Sequence, residues 1–164
     1  MKIVLLSILL MVSFISFSQE TAACNETVTV KNQNLFSKII DYAQSKIGLR
    51  YGRKGFDCSG LVAKAFSTIG VGLPHSSKLQ SKLGQKITKS EAKPGDLIFF
   101  SSSKSGVKKV GHVGIITEVT NNVIHFVHAA VTGGVRIDNM ASAYYKKHFL
   151  LIKRNQIEPE LSKN

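Results

Sequence analysis

The hydrophobic pattern of the chain changes at Pro94-Gly95, and that change limits the folds open to it. Upstream, apolar residues recur at helical spacing. Leu35, Phe36, Ile39, Ile40, Ala43 and Ile47 share one face of a predicted helix that Gly48 stops. Leu61, Val62, Ala65, Phe66 and Ile69 define a second helix, opened by Cys58 and ended by Gly70. After the breaker cluster Gly70 to Pro74, Ser76 or Ser77 caps a short third helix reaching about Leu83. Downstream the chain reads as short strands: Asp96 to Phe100, Val110 to Val119, Val123 to Ala129, Val135 to Ile137 and His148 to Lys153. Asn121-Asn122 makes a hairpin turn, and Ala141 to Lys147 a helical turn. Helices followed by strands predict an α+β fold, with the Cys58 helix packed on an antiparallel sheet.

The first residues read differently. Met1 to Phe17 carries Lys2 and then an apolar run broken only by serines, the pattern of a secretory signal peptide. Ser16 and Ser18 suit cleavage before Gln19. The expected organisation is a signal peptide over residues 1–18, a linker over 19–34, one domain over 35–154 and a polar tail over 155–164. Ala22-Ala23-Cys24 offers a second route, a lipoprotein site that would lipidate Cys24 and tether the chain to a membrane. Both routes take the protein out of the cytoplasm, where a Cys24–Cys58 disulfide is the structural alternative for the two cysteines. The net charge of +12 favours an anionic partner. The lysines are spread out and no nucleic-acid module with interleaved aromatics appears, so nucleic acid is not expected. A carboxylate-bearing wall polymer or an anionic membrane surface is the simpler partner.

Cys58 carries the chemistry. A cysteine in the first turn of a helix sits among unpaired N–H groups at the positive end of the dipole, which favours the nucleophilic thiolate. The bland alternative is a buried structural cysteine. Gly111-His112-Val113-Gly114 places a histidine at a strand start between glycines, and His128 follows at the end of the returning strand. A tight hairpin would bring both to one edge. One cysteine with later histidines is the arrangement of a thiol hydrolase: nucleophile, base, and a residue that orients the base. Zinc held by His112, His125 and His128 is the competing reading, though their spacing matches no recognised metal motif. No metal and no cofactor are expected. Since side chains alternate along a strand, His125 and His128 point to opposite faces, and only one can meet His112.

Six motifs, in order, carry a resemblance. They are Arg50-Tyr51-Gly52, Phe56-Asp57-Cys58-Ser59-Gly60-Leu61-Val62, Leu73-Pro74-His75-Ser76-Ser77, Pro94-Gly95-Asp96-Leu97, Gly111-His112-Val113-Gly114-Ile115 and Phe126-Val127-His128-Ala129. From about Leu35 to Arg154 the chain resembles the NlpC/P60 peptidases of the bacterial cell wall, most closely the small single-domain secreted or lipoprotein members. The resemblance implies a papain-like α+β fold and hydrolysis of peptide bonds in peptidoglycan stem peptides by a monomeric enzyme. It makes Cys58 the nucleophile, His112 the base and His128 the residue that orients it. It also makes Tyr51 an oxyanion donor, and Asp57 and Ser59 substrate-binding candidates. From the residues alone, Asp57 is equally a helix cap. One departure bears on specificity: Gly52 to Asp57 is shorter than the Gly-rich insert often found there. Other functions on the same scaffold are an amidase, a transpeptidase or an acyltransferase. A non-catalytic wall-binding module would be marked by loss of the cysteine or histidine, and neither is lost.

Overall fold

A sheet of six antiparallel strands forms the centre of the structure, a computed structural model that describes residues 34–52, 55–102 and 108–155. The predicted signal peptide, Cys24 and the tail beyond Asn155 lie outside the described residues. Helix α1 covers residues 34–44 and buries Ile39 and Ala43. It ends three residues before Ile47, the last residue of the predicted helix. The chain turns through Gly48, at φ 89°, whose N–H donates to the Val135 carbonyl, and Ile47 is left exposed. Helix α2, Cys58–Ser67, buries Leu61, Val62, Ala65 and Phe66 at the predicted spacing. Helix α3, Ser77–Gln80, is capped by the Ser76 hydroxyl, which accepts from the Leu79 N–H.

The strands are β1 Gln85–Ile87, β2 Leu97–Ser101, β3 Val110–Thr120, β4 Val123–Ala130, β5 Gly134–Asn139 and β6 Phe149–Arg154, with α4, Ala143–His148, before β6. They lie in the order β1-β6-β2-β3-β4-β5. Strand β1 has no apolar alternation of its own and was not expected from the pattern. It exists through pairing with β6, where Gln85, Lys86 and Ile87 meet Arg154, Lys153 and Ile152. The β3–β4 hairpin turns on Asn121 and Asn122, both left-handed at φ 51° and 62°. Asparagine tolerates this conformation better than most side chains, which is why this pair makes a two-residue turn.

Alternation along the strands splits the apolar residues into two layers. Leu97, Phe99, Val113, Ile115 and Val127 pack with Ile39, Cys58, Leu61 and Phe66 on the side of α1 and α2. Ile98, Phe100, Ile116, Phe126 and Ile152 pack with Met140 and Tyr145 on the other side. Burying each such side chain contributes about 1.5–3 kcal/mol, so both layers are needed to hold the sheet. The α+β fold class holds, with the Cys58 helix against an antiparallel sheet.

Candidate active site

Cys58 is the first residue of α2, and Asp57 is its N-cap. The Asp57 carboxylate is fully engaged. Its Oδ1 accepts from the Gly60 N–H at 2.6 Å and the Ser59 hydroxyl at 3.0 Å, and its Oδ2 lies 2.7 Å from His75 Nε2. Burial alone would raise this carboxyl, but the Gly60, His75 and Ser59 contacts hold it below the usual range. Behind the cap, buried Gln80 donates from Nε2 to the carbonyls of Ser59 at 3.0 Å and Pro74 at 2.8 Å. This ties the start of α2 to the loop that carries His75. Asp57 and Ser59 therefore build the helix start, whatever else they do.

The thiol departs from expectation. Cys58 is 7% exposed, and burial pushes its pKa up. The N–H groups of Val113, Ser59 and Cys58 itself pull the other way, while the Asp57 charge adds to the rise. Desolvation outweighs the helix terminus, so the resting group is a thiol. Tyr51, bridged to Phe56 across the short loop, has its phenol pushed up by burial first and then by the charges of Cys58 and Asp57. Tyr51 thus feels the charges at the start of α2.

Strand β3 brings the histidine. His112 Nε2 lies 2.8 Å from His128 Nδ1, with the rings edge-on at a centroid distance of 4.9 Å. His128 is 1% exposed, and its Nε2 is 2.9 Å from Asp138 Oδ2. The same carboxylate oxygen accepts from Arg136 Nε at 2.8 Å and from the Tyr145 hydroxyl at 2.6 Å. Arg136 is itself held by the Thr132 carbonyl at 2.9 Å. The structure joins His112 to His128 directly. It joins Cys58 to the same strand through the amide of Val113, the residue after His112.

His125 takes no part. It pairs across the hairpin with Glu118, with Nδ1 3.6 Å from Oε1, and regular alternation along β4 leaves His125 and His128 on opposite faces. Zinc held jointly by His112, His125 and His128 is therefore ruled out by geometry, and among the described residues no three His, Cys, Asp or Glu side chains are grouped to hold a metal. A cavity of about 490 Å³ lined by Val71, Leu73, Gly84, Gln85 and Asn155 lies apart from these residues.

Asp138, Arg136 and Tyr145 were not visible as site residues in the sequence. Arg136 and Asp138 are two apart on a strand and so share a face, but their relation to His128 rests on the β4–β5 register, which sets Arg136 opposite His128 and Asp138 opposite Phe126.

Burial and the neighbouring His128 and Arg136 charges push the His112 imidazole down to about 3, against a slight opposing pull from Asp138. Burial also lowers His128, and outweighs Asp138. A group depressed in this way costs stability as pH falls. An unfolded chain protonates its histidines near pH 6.5 while the fold keeps His112 neutral down to about pH 3. In that window the unfolded state binds more protons, so stability should drop steadily as the solution is acidified. Thermal melts across the window should show a falling Tm. The fall should be shallower in His112→Phe, and an unchanged Tm would contradict the buried neutral pair.

Comparison with known proteins places the chain in a family. The family model described as the NlpC/P60 family matches residues 47–154. Murein DD-endopeptidase MepS/murein LD-carboxypeptidase of Escherichia coli K12 is 36% identical over 126 residues, which cover 73% of this chain and 63% of that relative. The probable endopeptidase NlpC of the same organism is 39% identical over 110 residues, 64% of this chain and 67% of the relative. A lipoprotein-like NLP/P60 family protein of Staphylococcus aureus superposes with a TM-score of 0.63 at 32% identity, over 74% of this chain and 41% of that one. The chain thus spans under two thirds of MepS. The matched region runs from just before Tyr51 through all of the strands, and it contains Cys58, His112 and His128. On the family model, the relatives and the fold together, this chain belongs to the NlpC/P60 family.

Proposed function

We propose that this chain is a cysteine peptidase that hydrolyses peptide bonds in peptidoglycan stem peptides or cross-links. The observation that carries the reading is the hydrogen-bonded run from His112 through His128 to Asp138, on the strand whose Val113 amide points at the Cys58 sulfur. The names of the E. coli relatives, a murein endopeptidase and a probable endopeptidase, support the substrate class.

With a neutral thiol and a neutral imidazole at rest, proton transfer accompanies attack. Nδ1 is the His112 nitrogen not occupied by His128, so it takes the thiol proton. The sulfur bonds to the amide carbon, and the oxyanion is held by a backbone N–H at the α2 start with the Tyr51 hydroxyl. The C–N bond then breaks as His112 returns the proton to the leaving amine. Water, deprotonated by His112, hydrolyses the thioester and restores the thiol. Asp57 and Ser59, the neighbours of Cys58 in the chain, are the candidates for contacting the peptide.

Export follows from the signal-like start of the chain, with Cys24 as a lipid anchor in the lipoprotein form. Among the described residues no helix is long and apolar enough to cross a membrane. The positive charge suits a carboxylate-bearing polymer.

The mechanism separates a thiol from a metal. Purified protein incubated with muropeptides should lose its activity to iodoacetamide and keep it in EDTA. Alkylation should also accelerate toward alkaline pH, because the thiol is raised. Undiminished activity after alkylation, or loss in EDTA alone, would contradict the assignment.

A further inference from the structure

The three groups around Asp138 do more than fill space behind the histidines. Tyr145 donates its hydroxyl proton to Asp138 Oδ2 at 2.6 Å, and its oxygen lies 3.3 Å from His128 Nε2. With its proton committed, that oxygen can only accept from His128. Asp138 Oδ2, 2.9 Å from the same nitrogen, is an acceptor as well. Hydrogen bonds from Tyr145, His128 and Arg136 keep the carboxyl ionised against the effect of its burial. His128 Nε2 therefore faces two acceptors and must carry the ring proton. In a neutral ring this leaves Nδ1 bare. Nδ1 in turn faces His112 Nε2 at 2.8 Å, which must then supply the proton of that bond. The last nitrogen in the series, His112 Nδ1, is left with a lone pair.

We propose that Asp138, held by Tyr145 and Arg136, is a positioning residue that fixes the ring protons of both histidines and so makes His112 Nδ1 the base. The proposal rests on the reading of Cys58 and His112 as the reacting pair. No proton passes to Asp138 during the reaction. Its charge orders two neutral rings in series, and when His112 becomes an imidazolium, His128 Nδ1 is already turned to accept from it. Tyr145 is the built-in hazard of this arrangement. Released from Asp138, its hydroxyl would be free to donate to His128 Nε2. The proton would then sit on His128 Nδ1, and His112 would be forced to carry its own on Nδ1, where it cannot take one from the thiol.

The test is the tautomer itself, read by nitrogen NMR on full-length protein labelled at histidine, at neutral pH. In the wild type, Nε2 should be protonated and Nδ1 bare in both rings. Asp138→Ala should shift both rings toward the Nδ1–H form. Its kcat should fall toward the roughly 10⁴-fold loss that a wrong tautomer causes in a serine triad, with KM little changed. Asp138→Asn can turn its amide NH2 toward His128 Nε2, so it should shift the tautomers and lose rate much as Asp138→Ala does. Tyr145→Phe should keep the tautomers. A wild-type His112 protonated on Nδ1 would overturn the proposal even if Asp138→Ala fails to fold. So would a folded Asp138→Ala or Asp138→Asn with unchanged tautomers and kcat. The NMR readout does not depend on turnover. Activity surviving in Cys58→Ala would therefore overturn the catalytic reading while leaving the measured tautomers to decide the proton arrangement.

Discussion

Replacing His112 by alanine should reduce turnover of a muropeptide almost as far as replacing Cys58. Cys58→Ala removes the atom that forms the acyl bond, and activity should fall to background. His112→Ala leaves the sulfur in place but strips the group that receives its proton. Burial raises the thiol, so little thiolate is present at neutral pH to act without a base. General-base catalysis is commonly worth about 10²–10⁴-fold, and with a raised thiol the loss should sit at the upper end of that range. The double variant should be no worse than Cys58→Ala, because nucleophile and base act as one unit. Steady-state kinetics on one purified muropeptide reads all three. A His112→Ala protein within about tenfold of wild type would show that the thiol ionises without this histidine.

The second large effect separates two histidines three residues apart. His128→Ala should be severe, because it breaks the series between His112 and Asp138 and leaves a cavity beside Phe126 and Tyr145. His125→Ala removes a partly buried ring whose near partner is Glu118 on the surface, and it should keep most of its activity. Opening a buried site also costs stability, so the two variants should differ in Tm as well as in kcat. Large-to-small changes in a core typically cost about 2–5 kcal/mol, whereas surface changes stay near 0.5 kcal/mol. His128→Asn offers an amide oxygen to the His112 N–H and should recover part of the rate. An inactive His125→Ala beside an active His128→Ala would reverse the assignment.

The parts of this protein that follow local rules were legible in its residues. The apolar spacing after Cys58 gave helix α2, Ser76 capped α3, and the Asn121-Asn122 pair turned the hairpin. Each depends on a few neighbouring side chains. The parts that escaped depend on distant ones. Strand β1 is polar and three residues long, and pairing with β6 makes it a strand. The end of α1 is set by Gly48 reaching Val135, a contact nearly ninety positions along the chain. Asp138 has no signature of its own in Val135-Arg136-Ile137-Asp138. Its role comes from the register of β5 on β4 and from a tyrosine delivered by α4. The expected acidity of Cys58 failed for another reason. The helix terminus was correctly placed, but burial is a property of the folded core and outweighed it.

The central claim is that the thiol of Cys58 cuts peptide bonds in peptidoglycan. Mass spectrometry of purified peptidoglycan, digested by the wild-type chain and by Cys58→Ala in parallel, addresses it directly. The wild type should release fragments in which a stem peptide or cross-link is split, with one water added per bond, and Cys58→Ala should release none. Cleaved glycan strands with intact peptides, or equal release by the two proteins, would contradict the account.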